Sequence, residues 1–334
     1  MNIYDISQKA GVSIATVSRV LNNNKNVSEK TRKKVLAIIE EEDYQPNAFA
    51  RGLMLNTMRT VGLLCADSSD PYLASAIAFL EQGLRENQYD SLLCCTGYDL
   101  EQKEKYLNIL LSKHVDALIL IGSNFIEQDD KKNEYLYRAA TQVPLFFING
   151  FLKADNVYCS LCDDVEATYH ATSRLVQSGC KNPLFLYRSD TYSGLKKKEG
   201  FEKALEKNEI SYSNKQIWKT HSSIKKVQEE LSDLYKKVKF DAVVASDDEL
   251  AVGALKFAKS QNLSVPEDLS IVGYNNSVLS ICSEPEITSI DNRLEYICNT
   301  AVSLLMNIVE EKNVPDKTVV SADIIVRGTT NKNF

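Results

Sequence analysis

Hydrophobic and polar positions keep a helical period over the first part of this chain and change rhythm near residue 60. Ile6 and Ala10 share one face of a first short helix, and Val17, Val20 and Leu21 fall at i, i+3 and i+4 of a second. Asn2 and Ser13 stand where N-caps belong. Asp5 takes the third helical position, where a carboxylate suits the helix dipole. Gly11 is the turn residue that tolerates positive φ. The polar face of the second helix holds Ile14, Ala15, Ser18, Arg19 and Asn22. A third helix, capped by Ser28, runs through Arg32, Val35, Leu36 and Ile39 to Glu42, and its apolar face closes a three-helix head. Tyr44-Gln45-Pro46 stops it, because proline cannot continue a helix and pushes its predecessor extended. Asn47 can cap about two further turns through Asn56. A helix that short is marginal in water, so this segment is expected to fray alone and to fold when docked.

From Thr60 the pattern becomes short apolar runs separated by amphipathic helices. Strands are expected at Thr60–Ala66, Ser91–Thr96, Ala117–Ile121 and Leu145–Ile148, then at Pro183–Tyr187, Ala242–Ala245, Ser270–Gly273 and Asp323–Arg327. Helices are expected at Tyr72–Asn87, Leu100–Ser112, Glu134–Ala140, Asp164–Ser178, Lys196–Lys207, Glu229–Lys237, Leu250–Gln261 and Glu295–Glu311. Uniformly apolar strands alternating with helices predict parallel, doubly wound α/β sheets. Two such sets predict two lobes, with the helix at Glu295–Glu311 returning to the first and the last strand to the second. The expected division is a head over 1–46, a hinge over 47–59 and a core over 60–334. Lobe one takes about 60–161 and 292–322, and lobe two about 162–291 and 323–334.

Charge is uneven. Residues 1–60 hold 9 Lys/Arg against 6 Asp/Glu, whereas the whole chain carries a net charge of −6. A basic head on an acidic body suits a protein that offers one end to phosphate. A helix pair with this turn is a helix-turn-helix, whose second helix enters the major groove of DNA, and Arg19 can fork onto a guanine edge. The polar start and the absence of a long apolar run predict a cytoplasmic protein with no membrane partner. Most of the eight cysteines lie in apolar runs, as free buried thiols do. Cys159 and Cys162 form a lone CxxC without the further ligands a zinc site needs, so neither metal nor cofactor is expected. Asp67-Ser-Ser-Asp-Pro-Tyr72 stands where a glycine-rich phosphate loop would have to be. No nucleophile elbow is visible, and three histidines give little material for a triad. An enzyme with a fused head is therefore disfavoured and no catalytic residue is assigned. The adjacent Asp247 and Asp248 fit a helix cap and a ligand hydroxyl better than a catalytic pair. A binding protein without DNA activity is disfavoured by the intact head.

The string from Gly11 to Asn22, Gly-Val-Ser-Ile-Ala-Thr-Val-Ser-Arg-Val-Leu-Asn, resembles the DNA-binding head of the lactose/galactose-repressor (LacI/GalR) family. Further strings extend the resemblance over nearly the whole chain: Arg59-Thr-Val-Gly-Leu-Leu, Val115-Asp-Ala-Leu-Ile-Leu, Gly200-Phe-Glu-Lys-Ala-Leu, Ala245-Ser-Asp-Asp-Glu-Leu-Ala-Val-Gly-Ala-Leu, Val265-Pro-Glu-Asp-Leu-Ser-Ile-Val-Gly-Tyr and Val326-Arg-Gly-Thr-Thr. The resemblance implies a small all-α helix-turn-helix head and two doubly wound lobes of periplasmic-binding-protein type. It implies a ligand-responsive repressor of carbohydrate-uptake or catabolic genes. Such a repressor binds a palindromic double-stranded DNA operator as a homodimer, with a tetramer as the alternative assembly. By matching position, Ile14, Ala15 and Arg19 would read bases, and Tyr4, Ser13, Thr16 and Asn22 would hold phosphates. Leu53, with Ala50 beside it, would wedge into a minor-groove step. The first-lobe helix Tyr72–Asn87 would contribute to the dimer contact.

A small-molecule effector, a sugar or sugar derivative, would be met by Tyr72, Lys197, His221, Asp247, Asn275 and Asn292. Two positions depart from the family's usual sugar grip: Lys197 replaces an Arg and Asn275 an Asp. Asn149-Gly150 also replaces a common Asn/Asp-Arg pair. Lysine lacks the planar fork of arginine, and Asn exchanges charge for a donor. These departures raise two expectations for Lys197, either that it meets an anionic group such as a phosphate or that it is a solvated member of the Lys196–Lys198 run. A regulator using a protein co-regulator, as in the catabolite-control members, or one sensing a non-sugar or phosphorylated effector, is the alternative within the family.

Overall fold

A computed structural model describes residues 2–21, 26–42, 57–331 and 333–334. They fall into two compact units divided between Thr60 and Val61. Asn22, Ala50 and Leu53, with residues 47–56 of the expected hinge, lie outside the described residues.

The first unit holds helices α1 (Ile3–Ala10), α2 (Ile14–Leu21) and α3 (Glu29–Glu41). Asn2 starts α1 with a reciprocal cap. Its Oδ1 accepts from the Tyr4 and Asp5 N–H groups, and Asp5 Oδ2 accepts from the Asn2 N–H at 2.8 Å. Gly11 ends α1 at φ 62°, the left-handed cap that a side chain would strain. Ser13 Oγ accepts from Thr16 N and Ser28 Oγ from Thr31 N, each at 3.2 Å, so both expected serine caps form. Each such cap is worth about 1 kcal/mol. Ile6, Val17 and Val35 have no exposed surface, and Ala10 and Val20 complete the small core they share.

In the second unit, one six-stranded sheet has the order β11-β5-β4-β3-β1-β2. Its strands are β1 (Thr60–Cys65), β2 (Asp90–Cys95), β3 (Ala117–Ile121), β4 (Leu145–Ile148), β5 (Val157–Cys162) and β11 (Lys317–Val320). The other has the order β12-β10-β9-β8-β6-β7. It is built from β6 (Pro183–Tyr187), β7 (Ile217–Lys219), β8 (Ala242–Ala245), β9 (Ser270–Tyr274), β10 (Thr288–Asp291) and β12 (Asp323–Ile325). Pairing is parallel between β1 and β3, β3 and β4, and β4 and β5, and likewise between β6 and β8, β8 and β9, and β9 and β10. The exception is β12, which runs antiparallel to β10. It reaches the edge after a short return from the other sheet instead of a helical crossover, which removes the reason for parallel entry.

Helices α4 (Pro71–Glu86), α5 (Leu100–Ser112), α6 (Glu134–Ala140) and α12 (Leu294–Val309) accompany the first sheet. The second sheet carries α7 (Asp164–Gln177), α8 (Tyr192–Lys207), α9 (Ile224–Tyr235) and α10 (Asp248–Ser260). The short α11 (Val278–Cys282) follows β9. The chain therefore passes between lobes three times, after β5, after β10 and after β11.

Strands β5, β7, β10 and β11 and helix α11 were not legible in the hydrophobic pattern. They are short, or polar on one face, and they break the helix–strand alternation. β5 also places the CxxC. Cys159 and Cys162, three apart on a strand, point to opposite faces, and they pack into different cores of the first lobe.

Helices α7 and α8 approach closely at Gly200, where an added Cβ would sit 2.3 Å from the Val165 carbonyl oxygen. A backbone atom cannot rotate away. Gly200→Ala is expected to lower the stability of the second unit by about 1–3 kcal/mol. Urea denaturation of the full chain reads this as a drop in midpoint.

Candidate functional site

In the head, the outward face of α2 is left open by the burial of Val17 and Val20 beneath it. Ala15, Arg19 and Ser13 are exposed, and Ile14 and Thr16 are half-buried. Tyr4 is 64% exposed, a large aromatic that the head's own core does not use. Ser13 and Thr16 hold their hydroxyls together at 2.9 Å. Two hydroxyls, a guanidinium and the side chains of Ile14 and Ala15 thus stand along the outward face of α2, and α1 adds an exposed aromatic. That mixture suits a phosphate backbone and the base edges beneath it.

In the second unit, a cleft opens at the carboxyl ends of the strands of both sheets, where open α/β sheets bind ligands. Lobe one contributes Tyr72 at the start of α4, Asn124 in the loop after β3, and Asn149 after β4. Lobe two contributes Arg188, Asp247 and Asn275 from just past β6, β8 and β9, and Lys197 from the second turn of α8. Asp70 caps α4 by accepting from the Tyr72 and Leu73 N–H groups, which fixes Tyr72 at the cleft. Asn149 Nδ2 donates to the Tyr72 hydroxyl. Burial pushes the Tyr72 hydroxyl far above the usual tyrosine pKa, so it stays protonated.

Asn275 and Asn276 both take positive φ, at 93° and 47°. These strained values turn the chain sharply out of β9, and side-chain bonds hold the turn. Asn276 Nδ2 donates to Asp291 Oδ2 at 3.2 Å, and Arg327 Nη2 donates to Asn276 Oδ1 at 2.6 Å. Asn275 Oδ1 accepts from Asn292 Nδ2 at 3.2 Å, which turns the donor end of the Asn275 amide toward the cleft. Asn292 is fully buried and sits behind the wall, supporting Asn275 rather than lining the cavity.

His221 does not join the cleft. It is exposed, whereas Thr220 before it is buried and the carbonyl of Ser222 after it accepts from Arg188 Nη1 at 3.2 Å. The Ser222 N–H donates to Thr220 Oγ1 at 3.1 Å, so the residues on either side of His221 are tied to each other while His221 stays exposed.

Lys197 is neither solvated nor free. It is 8% exposed. Its Nζ donates to the Ser246 carbonyl at 3.0 Å and lies 3.7 Å from the Tyr274 ring centre. Behind it sits Asp164, which accepts from Ser193 Oγ at 2.5 Å and from the Tyr274 hydroxyl. Burial raises the Asp164 pKa, against the opposing charge of Lys197 and these two hydroxyl bonds. The charge of Lys197 therefore counters part of the burial penalty on Asp164.

Arg188 emerges as a cleft residue that sequence reasoning missed. Its Nε donates to Asp247 Oδ2 at 2.8 Å and its Nη2 to Glu249 Oε2 at 2.6 Å. Burial opposes its charge, but Asp247 and Glu249 outweigh burial and hold its pKa above the usual value. The signal was present: a charged residue directly after a wholly apolar strand, at the carboxyl end where ligands bind. Asp247 also caps α10, accepting from Leu250 N at 2.8 Å. Asp248 turns the other way, into bonds with Ser277 N and Ser289 Oγ. Gly273 makes room for it, since a Cβ there would lie 2.2 Å from Asp248 Oδ1. Among the described residues, Asn124 Nδ2 and Ser277 Oγ are buried without a hydrogen-bond partner. They line opposite sides of the cleft, as groups awaiting a polar ligand would.

Residues 2–47 match the family model of bacterial regulatory proteins, lacI family. Residues 58–327 match the model of periplasmic binding proteins and the sugar binding domain of the LacI family. The chain belongs to the LacI family. This LacI-family protein is a DNA-binding transcription regulator. It is 51% identical over 332 residues to an HTH-type transcriptional regulator of Lachnoclostridium phytofermentans, spanning 99% of this chain and all of that protein. Catabolite control protein A of Priestia megaterium is 30% identical over 96% of each chain. The crystal structure of a lac repressor dimer bound to operator and the anti-inducer ONPF superposes with TM-score 0.88 at 23% identity, over 99% of both chains. A complex of the transcriptional regulator CelR with cellobiose superposes with TM-score 0.71 at 26% identity, over 98% of this chain and 99% of that one. No described helix is long and apolar enough to cross a membrane.

Removing the lysine amine strands the buried carboxylate, so Lys197→Met is expected to cost roughly 2 kcal/mol. The cost depends on pH. Asp164 has a raised pKa in the folded chain, so the fold binds its proton more readily than the unfolded chain does. Stability from that proton is present at low pH and lost as pH rises through the folded-state pKa. Without Lys197 the pKa rises further. The deficit of the variant should therefore be larger near pH 8 than near pH 5, and urea melts at both values check it.

Proposed function

We propose that this chain is a repressor that binds a palindromic operator as a homodimer and releases or grips it in response to a small polar, uncharged effector. The carrying observation is the pairing of an open recognition face on α2 with a cleft whose polar wall is preformed. Two heads related by a two-fold axis match the two halves of a palindrome. Ile14 and Ala15 meet thymine methyls in the major groove, Arg19 forks onto guanine, and Tyr4, Ser13, Thr16 and Asn22 hold phosphates. Leu53, with Ala50 beside it, enters the minor groove and bends the duplex. Relatives named for catabolite control and for sucrose-operon repression support carbohydrate genes as targets.

The effector's charge follows from the cleft. Both lining cations are engaged: Arg188 pairs with Asp247 and Glu249, and Lys197 is held by the Ser246 carbonyl and the Tyr274 ring, while Asp70 and Asp248 line the cleft as well. No lining cation among the described residues is left over for a phosphate. This disfavours the anionic effector raised by the substitution at Lys197, and the neutral disaccharide in the CelR complex is the better guide. The effector acts by linkage: whatever factor it imposes on operator affinity, the operator imposes on effector affinity.

A gel shift on the DNA upstream of the chain's own coding region is expected to give salt-sensitive binding, falling steeply between about 50 and 200 mM salt. Arg19→Ala should lose roughly 10–100-fold in discrimination between that site and a scrambled one while weak general binding persists. Unchanged discrimination would show that α2 is not the reading helix.

A further inference from the structure

Cys65 ends β1 and Cys95 ends β2, and these two strands lie side by side at one edge of the first-lobe sheet. Their Sγ atoms are in contact as free thiols, 3.6 Å apart. We infer that Cys65 and Cys95 are a reversible oxidation site, a dithiol that hydrogen peroxide converts to a disulfide joining the ends of β1 and β2.

The backbone is already set for that bond. The Thr96 N–H donates to the Cys65 carbonyl and the Gly97 N–H to the Ala66 carbonyl, each at 2.9 Å. Neighbouring strands lie about 4.8 Å apart, and the Cα atoms of a disulfide stand roughly 4.4–6.8 Å apart. Side-chain rotation can therefore close the gap without moving a strand. Cys94 does not compete. Successive strand residues face opposite ways, and Cys94 packs against the other core of the first lobe.

The two thiols differ as the chemistry requires. Cys95 is exposed on an edge strand, so it meets the oxidant first. Cys65 is fully buried, and burial, with Cys95 beside it, pushes its thiol up to about 12. The Cys95 thiolate attacks one peroxide oxygen and the O–O bond breaks. The departing oxygen takes a proton and leaves as water, and Cys95 becomes a sulfenic acid. The Cys65 sulfur then attacks the Cys95 sulfur. Its proton leaves with the sulfenic hydroxyl as a second water as the S–S bond forms. Two thiols give up two electrons, and the peroxide takes both.

The site lies at the root of two cleft loops. The chain leaving Cys65 leads to Asp70 and Tyr72, and the chain leaving Cys95 leads to Tyr98; all three line the cleft. The disulfide pins these loops together where they begin.

The test treats the reduced full chain with a slight excess of hydrogen peroxide. Thiol counting on the unfolded product should find two of the eight thiols lost. Mass spectrometry of a digest should find one peptide pair joined through Cys65 and Cys95, lighter by two hydrogens and released by dithiothreitol. Cys94→Ser should keep the link. Cys95→Ser changes an exposed side chain and should abolish it, so the result does not depend on how well Cys65→Ser folds. Cys65→Ser should leave Cys95 as a sulfenic acid that dimedone traps. Hydrogen exchange should slow at residues 66–72 and 96–98 on oxidation of the unaltered chain, but not in Cys95→Ser. A link through Cys94, a disulfide between two chains, peroxide treatment that leaves Cys65 and Cys95 unjoined, or unchanged exchange in both loops once the bond has formed would each overturn the assignment.

Discussion

A carboxylate held away from water at the start of the second lobe organises that lobe's side of the cleft. Asp164 begins α7 immediately after the chain has crossed from the first lobe. Keeping it buried requires donors and a counter-charge, and these come from α8 through Ser193 and Lys197 and from β9 through Tyr274. Three elements far apart in sequence are thereby fixed to one point. Breaking one contact leaves a buried charge partly unmatched, which is far costlier than losing a surface pair. The constraint explains why Lys197 is turned into the wall.

The same economy of charge runs through the rest of the cleft. Arg188 is offset by Asp247 and Glu249, and Asp248 is absorbed by Ser277 and Ser289. Groups left without partners are neutral: an amide on one lobe and a hydroxyl on the other. A site that neutralises its own charges and leaves amides and hydroxyls waiting recognises hydrogen-bonding pattern rather than net charge. Such a site discriminates strongly against ligands that lack an expected hydroxyl, because its buried polar groups are then unpaired.

The head was almost wholly legible in the sequence. Asn2, Gly11, Ser13 and Ser28 act locally, through their own backbone neighbours, so their roles are written in a few adjacent residues. The parallel sheets were legible for a similar reason: strands buried on both faces read as continuous apolar runs. Edge strands such as β7 and β11 are half-exposed and short, and leave no such trace. In the cleft, Tyr72, Asp247 and Asn275 were placed by the family resemblance, and the structure brings all three to one cavity. His221 was carried over by position alone, and the structure leaves it exposed and outside the cavity. Lys197 was found, but its partner Asp164 lies 33 positions away in sequence, and nothing local tells a lysine that faces a ligand from one that faces a buried acid.

The three passages between lobes also bear on how a bound ligand is felt. Two bodies joined by one strand of chain can twist, tilt and slide in many ways, and a ligand's energy would be spread over all of them. Two bodies sewn together at three neighbouring places keep few relative motions, chiefly opening and closing about the seam. A molecule bridging the two lobes would load that one motion. In that sense the returning chain segments after β10 and β11 act as a bearing, fixing the axis about which the lobes can open and close.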